Sequence, residues 1–345
     1  MITVTNPPRF LIVQTAFIGD VILATALLEE LYERLPNARV DMLVRRGNES
    51  LLANHPLLNE VLVWDKKGKG GLLGKYGTLL DLLKLVRERH YDVILNLQRF
   101  GTTGLLTALA NARISIGFAK NPFSRWFTYA VDHRIEPGVH EVDRNASLLE
   151  PLELPNWRSR RTRPRLYPSA DDYAAVKAYQ TGAYRCIAPT SVWFTKQYPL
   201  ALWAEVIQQL PADETVYLVG APSDAAICDS LIRMVPGRMV TNLAGKFSLL
   251  ASAALMQGAR MNYVNDSAPL HLCSSTNAPT TAVFCSTVPE FGFGPLADVS
   301  RVAQTPHPLD CRPCNLHGRA KCPLGHFLCA NSIDAGDVAG RQEGI

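Results

Sequence analysis

"RFLIVQTAFIGDVILATALLEELYERLPNARVDMLVR" (residues 9–45) carries the pattern on which the fold turns. It opens on "RFLIVQT" (9–15), a short β-branched run of the kind buried on both faces of a parallel sheet. After Gly19-Asp20, residues Ala24, Leu27, Leu28, Leu31 and Leu35 recur at helical spacing until Pro36-Asn37 stops the helix. "RVDMLVR" (39–45) then resumes as a second strand. Asp20 stands where strand gives way to helix, and two readings are open for it. A carboxylate there caps the exposed N–H groups and suits the helix dipole; the same position also presents a general base at the mouth of a ligand site. Gly19 fits either reading, since a tight turn favours a residue without Cβ.

The alternation continues outward. A short helix around 49–54 precedes the strand "EVLVWD" (60–65), and a Gly- and Lys-rich loop covers 66–77. The amphipathic helix "LLDLLKLVRERH" (79–90) leads into the strand "YDVILNL" (91–97). Between about 134 and 183 Pro, Arg and polar residues obscure the pattern. It restarts with the strand "CIAPTS" (186–191), a helix over 200–210, "TVYLVGAP" (215–222) and a helix over 223–234. "MVTNLAG", a helix over 248–258, "MNYVND" (261–266), a helix over 269–276 and "TTAVFC" (280–285) follow. Strands alternating with helices predict α/β architecture with parallel sheets covered on both faces. Two doubly wound Rossmann-like domains are expected, 1–165 and 166–345, joined within 155–180. Ligands of such domains bind beyond the carboxyl ends of the strands, in the cleft between the two.

Composition narrows the class. The 345 residues are 47% hydrophobic and 19% charged with a net charge of +4, which excludes a disordered chain and gives no drive for nonspecific nucleic-acid binding. No stretch approaches the roughly 18–20 apolar residues that span a bilayer. "MITVTNPPRFLIV" lacks the basic region and cleavage site of a signal peptide, so a cytoplasmic protein is expected. "RSRRTRPR" (158–165) packs five arginines into eight residues; it reads as a solvated linker or as a contact for an anionic surface or substrate.

Three segments carry candidate chemistry, each following a predicted strand. Asp20 is the first. In "PTSVWFTKQYP" (189–199), Thr190, Ser191, Thr195, Lys196 and free backbone N–H groups are what a diphosphate needs, although a capped helix with a surface lysine has the same appearance. The glycine pattern of a P-loop is missing. In "NDSAPLHL" (265–272), Asp266 and Ser267 open a helix containing His271. A hydroxyl and N–H groups at a helix start suit phosphate, and a carboxylate suits sugar hydroxyls. His271 itself reads equally as a buried histidine satisfied by a backbone carbonyl.

Taken with "IGDVILATALLEEL", "HEVDRNASLLEPLEL" (140–154), "TKQYPLALWAEVI" (195–207) and "LAGKFSLLASAALM" (243–256), these segments make the chain resemble the ADP-heptose:lipopolysaccharide heptosyltransferases over nearly its whole length. That resemblance implies the GT-B fold and inverting transfer of a heptose or similar sugar from an ADP-sugar to a lipid-linked saccharide acceptor, with no cofactor required for the chemistry. It places the catalytic base on Asp20 and the donor diphosphate on Lys196, Thr190 and Ser191. Asp224, after "LVGAP", falls on a donor-ribose position, and Asp266, Ser267 and Ala268 on the donor sugar and phosphates. Ala268-Pro269 departs from the family's usual glycine-led step. His140 or Arg144 is implied on the acceptor side. The helix at 79–90 and the basic run at 158–165 are candidates for peripheral contact with the inner membrane. A GT-B nucleotide-sugar epimerase and a non-catalytic nucleotide-sugar-binding protein are the alternatives.

"CRPCNLHGRAKCPLGHFLC" (311–329) gathers Cys311, Cys314, Cys322 and Cys329 beyond the last predicted strand. Four thiols with a Cys-x-x-Cys start are enough for a structural zinc site or an iron–sulfur cluster; free thiols and disulfides are the other readings. Cys186, Cys228, Cys273 and Cys285 stand singly in predicted strands and helices and read as core thiols.

Overall fold

A computed structural model describes residues 7–65, 71–154 and 161–340. The chain divides into two compact units: 1–135 with 141–167, and 136–140 with 168–345. The first contains β1 (Arg9–Val13), α1 (Ile18–Arg34), β2 (Arg39–Arg45), β3 (Leu58–Trp64), α2 (Gly71–Glu88), β4 (Val93–Asn96), α3 (Gly101–Leu109), β5 (Ile114–Phe118), β6 (Tyr129–Val131) and α4 (Glu141–Ser147). The second contains α5 (Ala170–Val176), β7 (Tyr184–Ala188), α6 (Leu200–Gln209), β8 (Thr215–Leu218), α7 (Ala225–Met234), β9 (Val240–Asn242), α8 (Leu249–Gly258) and β10 (Asn262–Asn265). It continues through α9 (Ala268–Thr276), β11 (Thr280–Phe284), β12 (Ser300–Gln304), α10 (Leu328–Asn331) and α11 (Ala335–Ala339).

Each unit holds one six-stranded sheet, in the orders β3-β2-β1-β4-β5-β6 and β12-β11-β10-β7-β8-β9. All pairings are parallel. Counted along its own segment, each sheet has the doubly wound order 3-2-1-4-5-6. The chain therefore reverses its winding between β1 and β4 in the first unit and between β7 and β10 in the second, leaving a crevice at the carboxyl ends of those strands. The central strands are apolar on both faces because helices cover both. Leu11, Val13, Leu43 and Ile94 meet Leu82, Leu83, Val86 and Leu106 in one core. Ile187, Leu218, Tyr263 and Val283 meet Trp203, Val206, Ile207, Leu231 and Val338 in the other.

Two expectations change. The apolar face read at 79–90 belongs to a helix that begins at Gly71, and Leu79, Leu82, Leu83 and Val86 are buried on it. That face is spent on the core of its own unit, while Leu80 and Leu85 of the same helix remain exposed. In the basic run, Arg161 pairs with Asp143 at 2.6 Å, while residues 158–160 lie outside the described residues. The loop read over 66–77 is described only from Gly71, where α2 begins. Among the described residues no helix is long and apolar enough to cross a membrane.

Candidate active site

In the second unit, β7 runs into the loop 189–199 and β10 into the start of α9, so both segments sit at the reversal point of the sheet. There Lys196 Nζ meets Asp266 Oδ2 at 2.6 Å, with the lysine side chain 15% exposed and the aspartate 6%. The pair is stitched together by a residue the sequence did not single out. Asn265, fully buried, accepts from the Tyr198 N–H at 2.9 Å and donates through Nδ2 to the carbonyls of Ala188 and Thr190, each at 3.3 Å. The amide thus ties the 188–190 loop to β10. A buried asparagine satisfies its polar atoms only by such bonds.

Thr190 is buried, and the Ser191 carbonyl accepts from Gln197 Nε2 at 2.7 Å. Ser267 is the N-cap of α9 in extended conformation, and its hydroxyl reaches back to the Asn265 carbonyl at 3.4 Å. Ala268 is the first residue of the helix. The start of α9 therefore combines the positive end of a helix dipole with a neighbouring ammonium, an arrangement suited to a diphosphate. His271, one turn along α9, is 5% exposed, and burial lowers its pKa to about 4; Asp266 opposes that shift and Lys196 adds to it. It is neutral at physiological pH, and its Nδ1 has no hydrogen-bond partner, so the expected backbone carbonyl is not found there. Asp224 accepts from the Ala221 N–H at 2.8 Å and closes the turn after β8.

In the first unit Asp20 occupies the third position of α1, and its Oδ2 accepts from the N–H of Phe17, the N-cap residue, at 3.2 Å. The capping role is real, and the bond also orients the carboxylate at the reversal point beside β1. The loops after β1 and β4 are joined there by a hydrogen bond from Gln98 Nε2 to Gln14 Oε1. Glu141 on α4, 8% exposed, is a second carboxylate near Asp20. Burial raises its pKa, the partnered guanidinium of Arg144 (Nη2–Oε2 2.7 Å) opposes this, and the Asp20 charge raises it further. Arg144 and His140, expected on the acceptor side, are both buried. Arg144 is held by Glu141, and His140, in the second unit, by the Gly294 carbonyl at 3.0 Å from Nε2.

The cysteine tail departs from expectation. Cys311, Cys314, Cys322 and Cys329 are free thiols, the first three partly exposed and Cys329 buried. Among the described residues no group of three or more His, Cys, Asp or Glu is arranged to hold a metal ion. The zinc or iron–sulfur site expected on these four residues thus gains no support, although the thiols stand within electrostatic reach of one another: burial and then Cys311 and Cys322 raise the Cys314 thiol, and burial and then Cys314, Cys311 and Cys322 raise that of Cys329. The Cys314 N–H donates to the Ser286 carbonyl at 3.0 Å, and Cys329 lies inside α10. Burial acts to raise the Cys322 thiol, but the backbone N–H groups of Phe327, Leu324, Gly325 and His326 outweigh it and hold the thiol below its ordinary value. The tail instead lies against the lysine loop. Thr195, 1% exposed, exchanges backbone and side-chain hydrogen bonds with Arg319, with N–H to carbonyl at 3.1 Å and Arg319 N–H to Oγ1 at 2.7 Å. Gly318, at φ +84°, comes so close to the stem of Lys196 that a Cβ would stand 2.9 Å from its Cγ.

Two doubly wound domains of this order form the GT-B fold. The chain belongs to glycosyltransferase family 9 (heptosyltransferase), whose sequence profile matches residues 79–319. It is 25% identical over 287 residues to lipopolysaccharide heptosyltransferase 3 of Escherichia coli K12, covering 78% of this chain and 80% of that protein. Among solved structures it is similar to a family 9 glycosyltransferase of Veillonella parvula (TM-score 0.76, 20% identity, 86% of this chain and 85% of that one). It is also similar to the E. coli heptosyltransferase WaaC solved with ADP-2-deoxy-2-fluoro heptose (TM-score 0.69, 20% identity, 94% and 97%).

Proposed function

We propose that the protein transfers a heptose, or a similar sugar, from an ADP-sugar to a lipopolysaccharide core or related lipid-linked glycan, with inversion at the anomeric carbon. The observation that carries this reading is the Lys196–Asp266 pair at the reversal point beside the start of α9. The heptose-analogue complex of WaaC supports ADP-heptose as the donor class. The heptosyltransferase 3 relative supports a lipopolysaccharide acceptor.

In this reading the departing ADP is met by Lys196, by the hydroxyls of Thr190 and Ser191, and by the backbone N–H groups at Ser267 and Ala268. Asp266 and Asp224 are assigned to the donor's sugar and ribose hydroxyls. Asp20 takes the proton of the acceptor hydroxyl as its oxygen forms the new bond to the anomeric carbon, and the old glycosidic electron pair leaves with the diphosphate. Peripheral contact with the inner membrane face follows from the lipid-linked acceptor and is part of the proposal. Thermal-shift screening against ADP-, UDP- and GDP-sugars, followed by product analysis with donor alone and with acceptor, tests it. An ADP-sugar selectively stabilising the protein, and sugar transfer only when acceptor is present, is the expected outcome. Isomerised donor without acceptor would instead mark an epimerase.

A further inference from the structure

Thr287 lies in the turn after β11 and is 1% exposed. Its hydroxyl donates to Asp266 Oδ2 at 2.6 Å, the same oxygen that Lys196 Nζ approaches at 2.6 Å. That oxygen is thus shared between a hydroxyl and an ammonium. Sharing matters to a bound anion: a carboxylate already satisfied by Thr287 competes less strongly for the lysine. The hydroxyl also fixes where the carboxylate stands, and so where the long, flexible lysine stem delivers its charge.

The turn that carries Thr287 is held from the cysteine tail. Arg312 donates through Nη2 to the Thr287 carbonyl at 2.8 Å, to the Phe284 carbonyl at 3.2 Å and to Gln304 Oε1 at 2.8 Å. Its Nε reaches the Cys285 carbonyl at 2.7 Å. One guanidinium therefore satisfies three carbonyls, of Phe284, Cys285 and Thr287, at the end of β11 and links them to β12. Ser286, between them, donates its hydroxyl to Thr195 Oγ1 at 3.0 Å, one residue from Lys196. The backbone N–H groups of Ser286 and Cys314 continue the tie, to the carbonyls of Thr195 (3.3 Å) and Ser286 (3.0 Å) respectively.

We infer that Thr287 is a positioning residue for the Lys196–Asp266 pair, and that Arg312 of the cysteine-rich tail holds the turn from which it acts. The inference rests on the proposed donor role of that pair. It gives the tail a task in donor affinity that its sequence position, after the last helix-bearing strand of the domain, does not suggest.

Thr287→Val removes the hydroxyl at nearly constant volume, and Thr287→Ser restores it. A hydrogen bond to a charged group contributes about 1.5–3 kcal/mol, so Thr287→Val is expected to weaken ADP binding and raise donor KM by about tenfold or more. Thr287→Ser should return donor KM to near the wild-type value. Arg312→Lys, which keeps charge but not the fork of donors, should shift donor KM in the same direction. In an Asp266→Asn background Thr287→Val should add little, because the two residues act through one contact. Calorimetry with ADP, steady-state kinetics and thermal melting read these outcomes. A Thr287→Val protein with lowered melting temperature but wild-type donor KM, or a Thr287→Ser variant as weak as the valine, would overturn the inference. If Lys196→Met loses ADP while Thr287→Val keeps it, the donor reading stands and the inference falls. If folded wild-type protein binds no ADP, the donor reading fails and the inference with it.

Discussion

Replacing Lys196 by methionine separates the two tasks proposed for its ammonium. At 2.6 Å from Asp266 Oδ2 the gross attraction is about 6 kcal/mol at an effective dielectric of about 20, before desolvation of both groups is subtracted. Removing one partner of a buried pair costs about 3–5 kcal/mol, chiefly by stranding the other charge. Here the lower end applies. Lys196 is 15% exposed, and Asp266 keeps its hydrogen bond from Thr287, so about 3 kcal/mol is expected. The second task is electrostatic contact with the donor diphosphate, and its loss should weaken ADP binding by about 30-fold or more, as for a charged hydrogen bond of roughly 2–3 kcal/mol. The double variant Lys196→Met/Asp266→Asn discriminates between the tasks. With the stranded charge gone, most of the stability returns in urea unfolding, while calorimetry still finds ADP binding weak. A double variant that regains both stability and ADP affinity would refute the reasoning, because the lysine would then serve only to neutralise Asp266.

Acid should weaken the fold in a definite window. His55, His133 and His271 are buried, and burial lowers each pKa to about 4, with Arg99, Arg144 and Lys120 adding to the effect at His133. Because the unfolded histidines titrate near about 6.5, the unfolded chain binds more protons between those values. Stability is full above about pH 6.5 and falls toward pH 4 by up to about 1.4 kcal/mol per pH unit for each histidine; urea midpoints flat from pH 7 to 5 would contradict this. Thiol titration of the native protein should show three fast-reacting cysteines (Cys311, Cys314 and Cys322) and all eight after denaturation. Fast thiols that appear only after a chelator is added would point to a metal held by the tail.

The α/β alternation was legible in most strands covered on both faces, although β5, with all five residues buried, was not read. β1, β2, β4, β7 and β11 are apolar runs because neither face meets water, and their helices show one apolar stripe. Two of the four edge strands, β6 and β12, were not legible. β6 is three residues long with two exposed, and in "SRVAQ" of β12 only Ala303 is buried, so neither has an apolar run to read. The start of α2 was hidden by glycines in "GLLGKYG". Asp20, Lys196 and Asp266 could be picked out because each follows a buried strand, where parallel sheets place their ligands. Asn265, Thr287 and Arg312 could not. Their roles come from hydrogen bonds to residues 21 to 77 positions away in the chain, and no local spacing encodes those. Four cysteines within nineteen residues invite a metal, but nothing in their spacing shows that the backbone between them is also bound to the 195 and 286 loops.

Asp20 is where the account is most exposed, since the carboxylate that caps α1 is also assigned the proton of the acceptor. Asp20→Asn keeps an oxygen able to accept from the Phe17 N–H but cannot act as a base at neutral pH. The decisive measurement is sugar transfer by this variant, with ADP-heptose and a deacylated lipopolysaccharide core, alongside ADP binding by calorimetry. The account predicts unchanged ADP affinity and melting temperature with transfer reduced by about 10²–10⁴. Transfer at the wild-type rate would contradict it and leave Asp20 a helix cap alone.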